Sequence, residues 1–166
     1  MASEARVPGI VARVPEGEVV FQLPATNEGV RTGVMNVSRL IRDFGASEDD
    51  LTAIELALAE VLNNVVEHAY DGTVEGDMEI RVDNQAPDIH FRILDSGRPM
   101  PNGRLPRGSA ADAELEDFEQ DEGGYGLYMI RQLARKLRYS REGHHNQLSF
   151  RIRLGSERHW ESDVAL

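Results

Sequence analysis

Leu51-Thr-Ala-Ile-Glu-Leu-Ala-Leu-Ala-Glu60-Val-Leu-Asn-Asn64-Val-Val-Glu-His68-Ala-Tyr70 is the stretch on which the rest of the chain depends. Leu51, Ile54, Leu58, Leu62, Val65 and Ala69 recur at helical spacing and form one apolar stripe. Glu60 and Asn64 are four residues apart and so share the opposite face, which Glu67 and His68 extend by another turn. Asn is a mediocre helix former, and two adjacent Asn in mid-helix carry a local cost. A solvated face with incidental hydrogen bonds is one explanation. The other is chemical. A carboxylate and an amide oxygen at i and i+4 can orient a nucleophile and hold a hydrated Mg²⁺.

Working outward, Ser47 followed by Glu48-Asp49-Asp50 supplies an N-cap and an acidic first turn for this helix, and Asp71-Gly72 ends it. Upstream, Glu18 to Leu23 reads as a strand stopped by Pro24. Asn27 is placed to cap a second helix, whose stripe is Val30, Val34, Val37, Leu40 and Ile41. Downstream, the period changes to two. Met78, Ile80 and Val82, then Ile89, Phe91 and Ile93, alternate with polar or outward residues about a turn at 84–87. A helix is expected over 125–137, and two further strands over 137–141 and 147–154. Few of the strands alternate singly with helices, so a doubly wound parallel sheet is not expected. The expected fold is α+β: a two-layer α/β sandwich, a mostly antiparallel mixed sheet with three helices on one face.

The 166 residues suit one domain, expected over 18–154, with residues 1–17 and 155–166 as tails. The chain has no Cys, so disulfides and thiolate metal sites are excluded. No apolar run reaches membrane-spanning length and the N-terminus has no leader pattern; a cytoplasmic protein with no membrane contact is expected. A formal net charge of -11 argues against direct nucleic-acid binding. The charge is uneven: seven acidic residues and no basic one lie between Ala110 and Glu122, while Arg and Lys dominate from Arg131 onward.

Two more stretches carry chemistry. Asp95-Ser-Gly97-Arg-Pro99 stands where a buried strand ends, and a carboxylate there can accept a hydrogen bond from an amino group. Gly97 permits close backbone approach. Taken alone it is a turn motif. Gly123-Gly124-Tyr125-Gly126-Leu127 immediately precedes a helix, where free N–H groups and the helix dipole favour phosphate. Taken alone it is a hinge.

The order and spacing of the three motifs are more specific than any one. Together they resemble the ATP-binding domain (the Bergerat-type fold) shared by histidine kinases, gyrase B, Hsp90 and MutL. Within that superfamily they are most similar to the anti-sigma-factor serine kinases. Glu60 to Tyr70 resembles that branch's N box, Asp95 to Pro99 its G1 box, Gly123 to Ile130 its G2 box, and Asn146-Gln-Leu-Ser-Phe its last strand. The resemblance spans roughly residues 18–154 and implies ATP and Mg²⁺ as cofactors. It implies Glu60 as the catalytic base and Asn64 as the Mg²⁺ ligand. It also implies that His68, Asp95, Gly97, Pro99, Gly123, Gly124, Tyr125, Gly126 and Leu127 contact the nucleotide. The implied partners are a sigma factor, a STAS-type anti-sigma antagonist that carries the phosphorylated serine, and a second copy of the chain in a homodimer. The alternative is a non-catalytic, ATP-dependent regulatory binding module. Glu60 favours the enzyme, because binding alone needs no base; the acidic run before the glycines favours the module, because it repels a triphosphate.

Overall fold

The computed structural model describes residues 10–13, 17–71, 75–105 and 123–155. The chain order is β1 (Ile10–Arg13), β2 (Val19–Pro24), α1 (Asn27–Asp43), α2 (Glu48–Asn64), a π-helical turn (Val65–Ala69), β3 (Asp77–Gln85), β4 (Asp88–Asp95), a 3-10 turn (Pro101–Gly103), α3 (Gly123–Leu133), β5 (Arg135–Glu142) and β6 (His145–Arg153). The strands form one six-stranded sheet in the order β1-β2-β3-β4-β6-β5. Every ladder among the described residues is antiparallel, so the parallel component implied by a mixed sheet is not found.

The two-residue period sets the layers. Met78, Ile80 and Val82 of β3, Ile89, Phe91 and Ile93 of β4, and Leu148, Phe150 and Ile152 of β6 are all buried under the helices. Phe91 and Phe150 are register partners and stack with centroids 5.0 Å apart. The alternate residues build a polar outer face, where Arg92 hydrogen-bonds Glu18 and Arg81 pairs with Glu79. α2 packs between α1 and α3. Its stripe Leu51, Ile54, Leu58, Leu62 and Val65 is buried as expected, and so are Ala53, Ala57 and Val61 on the flank where other helices lean. α1 lies close to the sheet because Gly29 and Gly33, four residues apart, carry no side chain. A Cβ on Gly29 would sit 1.9 Å from the Pro24 carbonyl oxygen, and one on Gly33 would sit 2.7 Å from Leu23 Cδ1.

The caps are local and specific. Ser47 starts α2 with a reciprocal capping box: its Oγ accepts from Asp50 N at 3.1 Å, and Asp50 Oδ2 accepts from Ser47 N at 3.1 Å. Asp50 is buried and also accepts the Gly155 N–H, tying the end of β6 to the start of α2. The cap of α1 is Thr26 rather than Asn27. Thr26 has the extended backbone a cap needs, and its Oγ1 accepts from Gly29 N at 3.0 Å.

Three boundaries differ from expectation. Part of the stretch expected to be a tail, Ile10–Arg13, pairs with β2 as an edge strand. The last helix begins at Gly123 and ends at Leu133, so Arg135, Lys136 and Arg138 stand on β5 and not at a helix C-terminus. Lys136 has φ 54°, at an irregularity between the Arg135 and Arg138 pairings. The acidic run, Asp112 to Glu122, lies outside the described residues, as do 1–9 and 156–166. Among the described residues no helix is long and apolar enough to cross a membrane.

Candidate nucleotide site

α2 does not end as an ordinary helix. Residues 65–69 form a π turn, and Tyr70 N donates to Val65 O at 3.2 Å. Such a turn inserts a residue and rotates the side chains beyond it, a device common at functional sites. A cavity straddles the edge between the two faces of the helix. Val65 and Ala69, from the apolar stripe, line the same cavity as Asn64 and His68, from the polar face.

That cavity has a volume of about 400 Å³. Its walls are largely apolar: Val61, Val65, Ile93, Met100, Leu127 and Leu148. Its polar groups are few: Asn64 and His68 on the α2 side, the Asp71–Arg98 pair, and Asp95, Tyr139 and Asn146 on the sheet side. An apolar slot with a few placed polar groups is the usual form of a site for a flat organic ligand.

Asp95 ends β4 and is 9% exposed. Burial pushes its carboxyl pKa up, and hydrogen bonds from Asn146 and Gly97, with Arg141 nearby, work in the opposite direction. Asn146 Nδ2 donates to Asp95 Oδ1 at 2.7 Å, and Gly97 N donates to the same oxygen at 2.9 Å. The segment after Asp95 is held from several sides. Arg98 N donates to Ala69 O at 2.8 Å, Arg98 Nη1 lies 2.6 Å from Asp71 Oδ2, and Ser96 N donates to the Tyr70 hydroxyl at 3.0 Å. Tyr70 in turn donates to Asp77 O, and burial raises its phenol pKa.

Gly97 is required here by contact. A Cβ at that position would sit 2.5 Å from the Ala69 carbonyl oxygen and 2.7 Å from its carbon, both backbone atoms that cannot swing aside. Gly97→Ala is expected to cost about 1–3 kcal/mol of stability, as other overpacking changes do. Thermal unfolding of the two proteins would measure it, and an unchanged midpoint would remove the close-packing argument.

Of the residues singled out in the sequence, Asn64, His68, Asp95, Pro99 and Leu127 line the cavity. Gly123, Gly124, Tyr125 and Gly126 do not precede the helix but make its first turn, so their N–H groups belong to the helix N-terminus. Glu60 is not part of the cavity wall. It is half-buried one turn before Asn64, at the seam of α2 and α3, where a Cβ on Gly126 would lie 2.3 Å from its Oε2. Tyr139, Arg141 and Asn146 were not expected at the site. Register places two of them: Asp95 pairs with Asn146, and Asn146 pairs with Arg141, while Tyr139 pairs with the cavity residue Leu148.

Residues 23–152 match the family model of the histidine kinase-like ATPase domain. The chain belongs to the histidine kinase-like ATPase family. This ATPase domain is 31% identical over 135 residues to the serine-protein kinase RsbW of Halalkalibacterium halodurans, covering 75% of this chain and 77% of that protein. It is 27% identical over 123 residues to the serine-protein kinase RsbW of Listeria innocua, covering 70% and 74%. Its fold matches the structure of the RsbU and RsbW domains of a Mycobacterium tuberculosis protein with a TM-score of 0.59 at 20% identity. That match covers 86% of this chain and 33% of the other.

Proposed function

We infer that this histidine kinase-like ATPase is a protein serine kinase that uses ATP, sequesters a sigma factor, and phosphorylates a serine of a STAS-type antagonist. The observation that carries the reading is the buried Asp95 carboxylate in a largely apolar slot that α2 also lines, through Asn64. A buried carboxylate facing apolar walls calls for a donor, and the amino group of adenine is one. Family membership and the two serine-kinase relatives support the enzyme over a passive module.

Asp95 Oδ2 would accept the adenine amine, with Val65, Ile93, Leu127 and Leu148 around the ring. The N–H groups of Gly123 to Gly126 would receive phosphate oxygens at the α3 N-terminus. Asn64 and His68 line the same cavity as Asp95. Among the described residues no group of three His, Asp or Glu could form a metal cage. Mg²⁺ suits such a site, since it keeps several waters and shares its coordination with phosphate oxygens; Asn64 would be its protein ligand. A bound Mg²⁺ would supply charge neutralisation for phosphoryl transfer. Glu60 would orient the incoming serine hydroxyl and take its proton. The partners, a homodimeric state and a cytoplasmic setting belong to the same proposal.

The test is transfer of labelled γ-phosphate from ATP to a serine of a candidate antagonist in the presence of Mg²⁺. Label on the antagonist, lost when its acceptor serine is replaced by alanine, is the expected result. Tight ATP binding with no transfer to any antagonist that the protein binds would reduce it to a regulatory module.

A further inference from the structure

The last hairpin, β5–β6, reaches the cavity through a side-chain network centred on Asn146. Asn146 is 3% exposed and uses its whole hydrogen-bonding capacity. Its Nδ2 donates to Asp95 Oδ1 at 2.7 Å and to Arg98 O at 2.9 Å, with Gly97 O at 3.4 Å. Its Oδ1 accepts from the Tyr139 hydroxyl and from Arg141 Nη1, each at 2.6 Å. Arg141 can only donate, so the amide has one allowed orientation, oxygen toward Arg141 and nitrogen toward Asp95. Tyr139 also accepts from Met100 N at 3.0 Å, and Arg141 donates to Gly97 O at 3.0 Å. Both ends of the Gly97–Met100 segment are therefore tied to the hairpin through the same side chains.

We propose that Asn146, oriented by Tyr139 and Arg141, is the positioning residue that fixes Asp95 as a pure hydrogen-bond acceptor and so sets the selectivity of the cavity for a 6-amino over a 6-oxo purine. The proposal rests on the nucleotide reading of the cavity. Its logic is a donor count. Asn146 and Gly97 N both donate to Oδ1 of Asp95, which favours the charged carboxylate against the cost of its burial and leaves Oδ2 without a protein donor. A charged carboxylate attracts the amine of adenine and repels the carbonyl of hypoxanthine. Asn146 has no hydrogen-bonding capacity left over for a ligand, so it acts through Asp95 alone.

Asn146→Asp keeps the side chain's size and its acceptors toward Tyr139 and Arg141. It replaces the Nδ2 donor with an oxygen facing Asp95 at a distance where two carboxylates share a proton. Asp95 then carries a hydrogen for part of the population and can donate to a 6-oxo group. The experiment measures ATP and ITP affinity by titration calorimetry on the full chain at fixed pH, for wild type, Asn146→Asp and Tyr139→Phe. Circular dichroism and unfolding midpoints monitor the fold. For Asn146→Asp the ATP-over-ITP ratio is expected to fall at least about tenfold, with ITP affinity maintained or raised. Tyr139→Phe removes one hydroxyl and is expected to shift the ratio the same way by a smaller factor. General loosening of the site would lower both affinities together and leave the ratio alone. An unchanged ratio in a folded Asn146→Asp protein, or in Tyr139→Phe should Asn146→Asp not fold, overturns the inference while the nucleotide reading stands. A wild type that binds neither nucleotide overturns both.

Discussion

Asp95→Asn is expected to weaken ATP binding by roughly 100-fold while leaving the nucleotide-free protein at least as stable as wild type at neutral pH. The loss comes from one hydrogen bond. A donor paired to a charged acceptor contributes about 1.5–3 kcal/mol, and the new amide presents a donor to the adenine amine in place of an acceptor. The gain comes from burial. The Asp95 carboxyl pKa is raised above its ordinary 3.8, mainly by desolvation. The folded state therefore binds the proton more tightly than the unfolded state. Stability from this group falls as pH rises from the unfolded value through the folded one, and the deficit persists at all higher pH. Asn carries no such deficit and can still turn an oxygen to Asn146 Nδ2 and Gly97 N. Thermal unfolding of the two apo proteins should show a gap in favour of the variant at pH 7 that narrows as pH is lowered toward 3.8. Calorimetry with Mg-ATP gives the affinity. A variant that binds ATP as wild type does would end the adenine role of Asp95, and a pH-independent gap would end the electrostatic account.

This trade explains why the site was partly legible in the sequence. Residues whose local environment contradicts ordinary propensity stand out: Asn63-Asn64 inside a helix, Asp95 ending a buried strand, and glycines 123, 124 and 126 in a helix's first turn. The hairpin β3–β4 was legible because one face is fully buried, so a one-residue slip would expose Ile80 and Phe91. The edges were not. β1 is four residues with no long alternation, and β5 begins with Arg135 and Lys136, charges that suit an exposed edge as well as the end of a helix. The π turn left no local mark, and the cavity face itself, Val61, Asn64, Val65, His68 and Ala69, follows ordinary i, i+3, i+4 spacing across the edge between the polar and apolar sides. Asn146 was legible only as part of a strand. Its partner Asp95 is 51 residues away, and the pair arises from the β4–β6 register rather than from any spacing.

Glu60→Gln is expected to keep ATP affinity within a fewfold and to lower phosphoryl transfer by roughly two to four orders of magnitude, the usual contribution of a positioned base. Its location separates the two effects. Glu60 is outside the cavity wall, so its charge is not needed to hold the base of the nucleotide. It stands one turn before Asn64 and against Gly126, where the α2 seam meets the first turn of α3. A carboxylate between the proposed Mg²⁺ ligand and the proposed phosphate-binding helix start could receive a serine proton there, and Gln fills the same space without basicity. Asn64→Ala should differ in kind: it removes the proposed Mg²⁺ ligand and is expected to lose both affinity and transfer. Gly126→Ala offers a third comparison. Its added Cβ would meet the flexible end of Glu60, not backbone, so the side chain can move away at little cost in stability. It is therefore expected to reduce transfer by displacing the carboxylate while the unfolding midpoint stays near that of wild type. Single-turnover transfer to the antagonist, measured beside ATP affinity for all three variants, resolves the pattern. Wild-type transfer by Glu60→Gln would remove Glu60 from the chemistry. Equal losses of affinity and transfer in Glu60→Gln would instead make it part of the binding site.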